Sequence, residues 1–169
     1  LSQNQRELAL QRVAAAGVSD KVTIEIRDYR DIPTASFNKI ASIEMIEQVG
    51  IRRYPDYFGA AYRALKDGGL FLNQGITFKR NGPDTSEGRF MFTRIFPNAE
   101  LDNISHMQAV AEDAGFEILN VESMRLNYPK TLREWERRLR QNWEQTLTHA
   151  PKETCRAWLA NYMNHPTNR

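Results

Sequence analysis

The chain has 169 residues, 41% of them hydrophobic and 26% charged, which is the make-up of a globular chain able to bury one core and not of a disordered segment. Its 23 basic and 21 acidic residues leave a formal excess of two positive charges, too small to point to nucleic acid as a partner. The single cysteine, Cys155, excludes an internal disulfide framework and a thiolate zinc cluster and is compatible with a reducing cytoplasm; no apolar run nears the roughly 20 residues that cross a bilayer, and no signal-peptide layout opens the chain.

Ser2 followed three residues later by Gln5 has the form of a capping box, Ala9, Val13 and Ala16 continue on one side, and Gly17 supplies a left-handed stop, so residues 2–16 are predicted to be a helix. Because this start comes directly after Leu1, the chain is expected to be a truncated or processed piece. Val22, Ile24 and Ile26 alternate with Thr23, Glu25 and Arg27, the period of a half-covered edge strand. Residues 37–43, and 69–76 apart from Asn73 and Gln74, are more continuously apolar, as in strands covered on both faces.

Between these two, Tyr54, Tyr57, Phe58, Ala61 and Leu65 share a helical stripe that ends at Gly68 and Gly69. The order strand, helix, strand is the crossover that parallel strands require. A further helix is predicted from Ser105, with Met107, Val110, Ala111 and Ala114 inward and a stop at Gly115; residues 116–126 then read as another strand. Thr131 and Glu134 repeat the capping-box form ahead of a stripe of Leu132, Trp135, Leu139 and Trp143. Pro151 opens a last helix bearing Cys155, Trp158, Leu159 and Tyr162. Residues 78–104 have weak periodicity and hold Gly82, Pro83, Gly88 and Pro97, so they read as a long excursion from the sheet. The whole is one α/β domain with a helical insertion.

Ligands of open α/β sheets collect beyond the carboxyl ends of the strands. That rule selects Asp28 to Asp31, Glu44 to Glu47 and Asn73 to Thr77. An amide at the end of an apolar strand costs desolvation energy unless partnered, so Asn73 and Gln74 are expected in a wet or liganded cleft, with simple capping of the sheet as the alternative.

The segments LSQNQ, RDYRDIP, IASIEMIEQVG, KDGGLFLNQGIT, IFPNAEL, AEDAGFEILNVES and NYPKTLREWERR occur in an order and spacing similar to cyclopropane fatty acid synthases and mycolic acid methyltransferases. The resemblance implies a class I methyltransferase fold, a Rossmann-like and mostly parallel seven-stranded sheet of which residues 1–169 supply the third to sixth strands as one partial domain. The glycine-rich cofactor loop, the cysteine near the family's bicarbonate site and the last antiparallel strand are then expected to lie outside it, and the piece alone is expected to be inactive. One long side of the strand at 37–43 is expected to lack its partner. The isolated chain should then expose apolar surface or self-associate, a homodimer being the simplest such assembly.

Residue by residue, the resemblance implies S-adenosylmethionine as cofactor. Ser2 and Gln5 match the segment beside its ribose, Asp28 and Tyr29 the turn over its adenine, and Ile43 an apolar wall of the same pocket. Each also has a plain reading, as a capping box, a solvated turn and a core residue. Glu47, Gln74, the backbone amide of Ile76 and Tyr128 match the group that holds a bicarbonate beside the reacting lipid carbon; without the resemblance, Glu47 reads as a helix cap. In the implied chemistry, methyl transfer to a cis double bond leaves a carbocation, and the bicarbonate takes the proton whose loss closes the ring.

Gln74 stands where the family commonly has histidine, and Gln48 replaces the histidine of its usual EHVG. An amide donates to an anion but relays no proton, so methyl transfer is implied more firmly than ring closure. The implied acceptor is an unsaturated acyl chain of a phospholipid, met by a cytoplasmic, peripherally membrane-associated enzyme. Lys130, Arg133, Arg137 and Arg140 would face the membrane surface or merely solvent, and Phe90, Met91, Phe92, Ile95 and Phe96 would line an acyl tunnel or close the core. Residues 78–104 and 128–165 are expected to form the substrate-binding part. No metal is expected, since His106, His149 and His165 lack ligand spacing. The competing functions are a small-molecule methyltransferase of the same fold and a non-catalytic fragment that binds lipid or a partner chain.

Overall fold

The computed structural model describes residues 2–78, 93, 95–96 and 99–164, so Phe90, Met91, Phe92 and His165 lie outside the described residues. Helix α1 spans Gln3–Ala15; Ser2 caps it by accepting from the Gln5 amide at 3.3 Å, and Gly17 follows at φ +66°. Strand β1 is Phe37–Ile43, the short α2 is Ile46–Val49, α3 is Tyr54–Ala64 and β2 is Leu65–Gln74. They are followed by α4 (Ile104–Asp113), α5 (Tyr128–Gln141), α6 (Trp143–Thr146) and α7 (Lys152–Asn164).

β1 and β2 pair in parallel, with Ala41 opposite Leu72 and Ile43 opposite Gln74. Side chains alternate across a strand, so Ile40, Ser42, Phe71 and Asn73 face one way and Ala41, Ile43, Leu70 and Leu72 the other. The first face is covered by α3 and α4, whose Tyr54, Tyr57, Phe58, Met107 and Ala111 form the core with Ile46. On the second face Ile43, Leu70 and Leu72 remain exposed. Only one side of β1 is paired among the described residues.

Several predicted elements differ. The stretch 22–27 joins no ladder, and its Ile24 carbonyl instead accepts from Arg6 Nε at 3.3 Å. Residues 116–126 form no strand either, and Leu119, Val121 and Leu126 are exposed; a strand needs a neighbour to satisfy its backbone, and none lies alongside among the described residues. The sheet therefore has two strands there, not four.

The helix predicted to stop at Gly68 and Gly69 ends at Ala64, and β2 begins at once. The glycines instead make a bulge: Phe37 pairs with Leu65 but Lys39 pairs with Leu70. A Cβ on Gly69 would come within 2.8 Å of the Lys66 carbonyl oxygen, so the close approach explains the residue. Thr131 does not cap α5. The helix starts three residues earlier, where Pro129 fills a first-turn position that needs no donor. The Trp143 stripe is interrupted as well, because α5 ends at Gln141 and Trp143 opens α6.

Candidate active site at the strand tips

β1 ends in a sharp departure: Glu44 takes φ +53°, in the left-handed region that costs a non-glycine residue strain, while its amide still donates to the Gln74 carbonyl at 3.0 Å. That turn throws α2 across the end of β2. Ile46 and Glu47 on α2 are both buried, and Glu47 Oε1 accepts the Ile76 amide at 2.6 Å. Glu47 Oε2 and Gln74 Oε1 are buried side-chain acceptors without a hydrogen-bond partner among the described residues. Gly75 makes the approach feasible, since a Cβ there would stand 2.5 Å from Ile46 Cγ2 and 3.3 Å from Glu47 Oε1.

A buried acceptor without a donor costs free energy, so each of these oxygens marks a place that is completed by something bearing hydrogen. Of the four predicted catalytic positions, Glu47 and the Ile76 amide are joined by this hydrogen bond, and Gln74 stands two residues before Ile76 at the end of β2. Tyr128 lies at the start of α5, half-buried, with its ring edge-on to Trp135 at 6.3 Å. Burial raises its hydroxyl pKa, with Glu44 and Tyr162 adding to the effect.

Asn73 does not enter a cleft. Its Oδ1 accepts from the Tyr57 hydroxyl at 2.8 Å and its Nδ2 lies 3.5 Å from Met107 Sδ, beneath α3 and α4. Tyr29 joins the same chain of contacts, edge-on to Tyr57 with ring centroids 5.8 Å apart. The tip at Tyr29 is therefore linked through Tyr57 to Asn73 near the end of β2.

Among the predicted cofactor residues, Asp28 caps a short 3-10 turn at Tyr29–Asp31 and is gripped by Arg30, whose Nε and Nη2 donate to the two carboxylate oxygens at 2.8 and 2.7 Å. This grip lowers the Asp28 pKa well below the carboxylate range. The Arg30 guanidinium also lies 5.9 Å from the Tyr29 ring centroid. A cleft of about 290 Å³ opens beside them, lined by Tyr29, Arg30, Met45, Gln48, Val49 and Arg53. Ile43 is 65% exposed at the tip of β1. Among the described residues, Ser2 and Gln5 make hydrogen bonds only within the start of α1, and Gln5 is exposed.

Sequence reasoning counted Arg30 and Gly75 among the strand-tip residues without giving either a role, and included Glu100 only as part of the IFPNAEL segment. The i to i+2 spacing of Asp28 and Arg30 was a signal for the first, while the other two depend on contacts between distant segments. Among the described residues, no three His, Cys, Asp or Glu side chains are grouped to hold a metal, and no helix is long and apolar enough to cross a membrane. Of the four cations expected on one face of α5, Arg137 pairs with Glu134 at 2.6 Å and Arg140 with Glu136 at 3.0 Å. Ile95 is buried, and Phe96 packs edge-on to Trp158 at 5.7 Å.

Known proteins resemble this chain over most of its length. A "Probable fatty acid methyltransferase" of Pseudomonas putida is 38% identical over 162 residues, which are 94% of this chain; the chain spans only 41% of that relative's length. A sphingolipid C9-methyltransferase of Candida albicans is 38% identical over 133 residues, 74% of this chain and 25% of the relative. The crystal structure of mycolic acid cyclopropane synthase CmaA1 complexed with SAH and CTAB superposes with a TM-score of 0.82 at 24% identity, over 99% of this chain and 62% of that one. The ladder and its helices are thus an incomplete class I methyltransferase fold. The model of the mycolic acid cyclopropane synthetase family matches residues 1–168, and the chain belongs to that family.

Proposed function

We propose that the full-length protein transfers a methyl or methylene group from S-adenosylmethionine to the double bond of an unsaturated phospholipid acyl chain, and that residues 1–169 carry the acceptor side of that site. The observation that carries this reading is Glu47, a carboxylate buried at the strand tips with one oxygen on the Ile76 amide and the other unpaired. A carboxylate so desolvated has a purpose other than folding, because burying an incompletely paired charge destabilises. Family membership and the names of the relatives supply the reaction class.

S-adenosylmethionine supplies an electrophilic methyl group. The residues present fit one wall of its site: Ile43 offers uncovered apolar surface, Tyr29 an aromatic ring and Asp28 an oriented carboxylate. A bicarbonate would occupy the second place, where its hydroxyl would satisfy an orphaned acceptor of Glu47 or Gln74. The Ile76 amide is already engaged by Glu47, so an anion there would share or displace that bond. Tyr128 would close the same space from α5. Residues 78–104 and 128–165 would hold the acyl chain, and Lys130 and Arg133 would meet the membrane surface of a cytoplasmic, peripherally bound enzyme.

Between the two products, a methyl branch is favoured. The named relatives are methyltransferases of fatty acids and sphingolipids, and with an amide at Gln74 in place of a proton relay the cation left by methyl transfer would instead lose a proton from a neighbouring chain carbon to the bound base, giving a methyl-branched chain that keeps a double bond. The test is to incubate the full-length protein with methyl-labelled S-adenosylmethionine and vesicles of unsaturated phospholipid, then analyse the fatty acid methyl esters by mass spectrometry. Label in a branched acyl chain is expected; label confined to a water-soluble product removes the lipid assignment.

A further inference from the structure

Helix α2 is a single turn of four residues with no side-chain cap, and Gly50 at φ +87° ends it. One turn does not hold itself, because nucleating a helix costs more than its first hydrogen bond returns. The place of the Glu47 carboxylate therefore depends on tethers from outside the turn. One tether comes from the IFPNAEL segment at the end of the excursion, whose Glu100 has no part in the proposed chemistry.

Glu100 of that motif grips the turn twice. Its amide donates to the Glu47 carbonyl at 2.9 Å, and its Oε2 accepts the Ile51 amide at 2.8 Å. The second bond caps the 3-10 turn at Ile51–Arg53, whose own cap position is Gly50 and offers no side chain. Glu100 is itself anchored on the opposite side. Two residues on, the Asp102 carbonyl accepts the Phe78 amide at 2.9 Å, and Phe78 bridges to Asn103 in parallel, extending the line of β2. Asp102 also pairs with His106 on α4. The segment from Glu100 to Asn103 thus ties the chain beyond β1, which bears Glu47, to the chain beyond β2, which bears Gln74 and Ile76.

We propose that Glu100 is a positioning residue: it braces the α2 turn so that Glu47 keeps one oxygen on the Ile76 amide and the other free for the reaction. This rests on the reading of Glu47 as the residue at the reacting centre. It also gives the excursion a mechanical link to that centre, since the same strand of chain closes the excursion and holds the turn.

Full-length protein carrying Glu100→Ala, Glu100→Gln or Glu100→Asp tests the inference by two readouts. Glutamine retains an acceptor for the Ile51 amide, alanine removes it, and aspartate is a methylene too short to reach, so aspartate serves if the alanine variant does not fold. In Glu100→Ala and Glu100→Asp, hydrogen exchange at the Ile76 amide should rise about tenfold or more with the thermal midpoint shifted by only a few degrees, roughly the scale of one lost contact. With labelled S-adenosylmethionine and unsaturated vesicles, kcat should fall about tenfold to a hundredfold with KM for lipid little changed, the pattern of a misplaced reacting group. Glu100→Gln should restore both. Ile76 exchange unchanged in Glu100→Ala and Glu100→Asp overturns the brace whether or not the protein proves to be a methyltransferase. Faster exchange with undiminished kcat in an active enzyme overturns its catalytic consequence, and absence of any activity in the unaltered protein strikes the reading of Glu47 while leaving the exchange result to decide the brace.

Discussion

The Tyr57 hydroxyl donates to Asn73 Oδ1 at 2.8 Å, and that bond lets an amide stand among the apolar residues of β2. Removing the donor leaves a half-buried acceptor unsatisfied. Tyr57→Phe should therefore lower the unfolding free energy by about 1–3 kcal/mol in urea titration of the full-length protein, although it keeps the ring. Substituting both partners, Tyr57→Phe with Asn73→Leu, should recover part of the loss; a double variant no better than the sum of its parts would show that the pair does not act together.

The same tyrosine dictates an alkaline limit. Burial pushes the phenols of Tyr57 and Tyr54 up to about 12 from an ordinary 10. A folded-state pKa above the unfolded one means that the folded chain holds the proton more tightly. The contribution is therefore complete below pH 10 and is lost as the pH rises through 12. Stability measured across this window should fall more steeply for the unaltered protein than for Tyr57→Phe, which has no phenol there to ionise.

Gly75 is set by space and not by backbone conformation. A Cβ at that position would stand 2.5 Å from Ile46 Cγ2 and 3.3 Å from Glu47 Oε1, so Gly75→Ala must push α2 away from the end of β2. The expected cost is about 1–3 kcal/mol of stability, as for other overpacked sites. A crystal structure or amide exchange at Ile76 would reveal the displaced carboxylate, whereas an unmoved Glu47 would contradict this packing account.

The parts of the molecule legible in the sequence are those fixed by neighbours along the chain. Ser2, Gln5 and Gly17 define α1 locally, and the stripe of Tyr54, Tyr57, Phe58 and Ala61 finds its core. What failed was pairing. Val22 to Arg27 alternates correctly, yet alternation specifies a face and not a partner, and no ladder forms there. Thr131 and Glu134 have the right spacing for a cap, but Pro129 starts α5 a turn early and Glu134 is taken by Arg137 and Arg138. At the site, the resemblance singled out Glu47, Gln74 and Ile76. That Asn73 turns to the core while Gln74 does not follows only from knowing which face α3 covers.

Arg30 holds Asp28 through both oxygens and thereby keeps its carboxyl well below the usual carboxylate range. A depressed folded pKa contributes stability above the unfolded value and loses it as the pH falls, so this contact should weaken only in acid. Arg30→Ala should raise the Asp28 pKa toward its ordinary value, followed by carbon NMR of the side-chain carboxyl. If Asp28 orients the adenine, the same variant should also weaken binding of S-adenosylmethionine; an unshifted Asp28 titration would mean that Arg30 is not what holds it.

Glu47 offers the sharpest separation of stability from function. In Glu47→Gln the amide oxygen can still accept the Ile76 amide, and an NH2 group takes the place of the unpaired, buried oxygen. A buried charge is removed at nearly constant volume, so the thermal midpoint should hold or rise. The amide cannot exchange a proton with the reacting lipid or hold a proton-accepting anion in the same way, and kcat should fall by about 10² to 10⁴. Loss of activity with undiminished stability is the signature of a group kept for chemistry. Were the variant instead destabilised and fully active, Glu47 would be a structural cap on Ile76, and the reacting carboxylate would have to be sought elsewhere in the full-length protein.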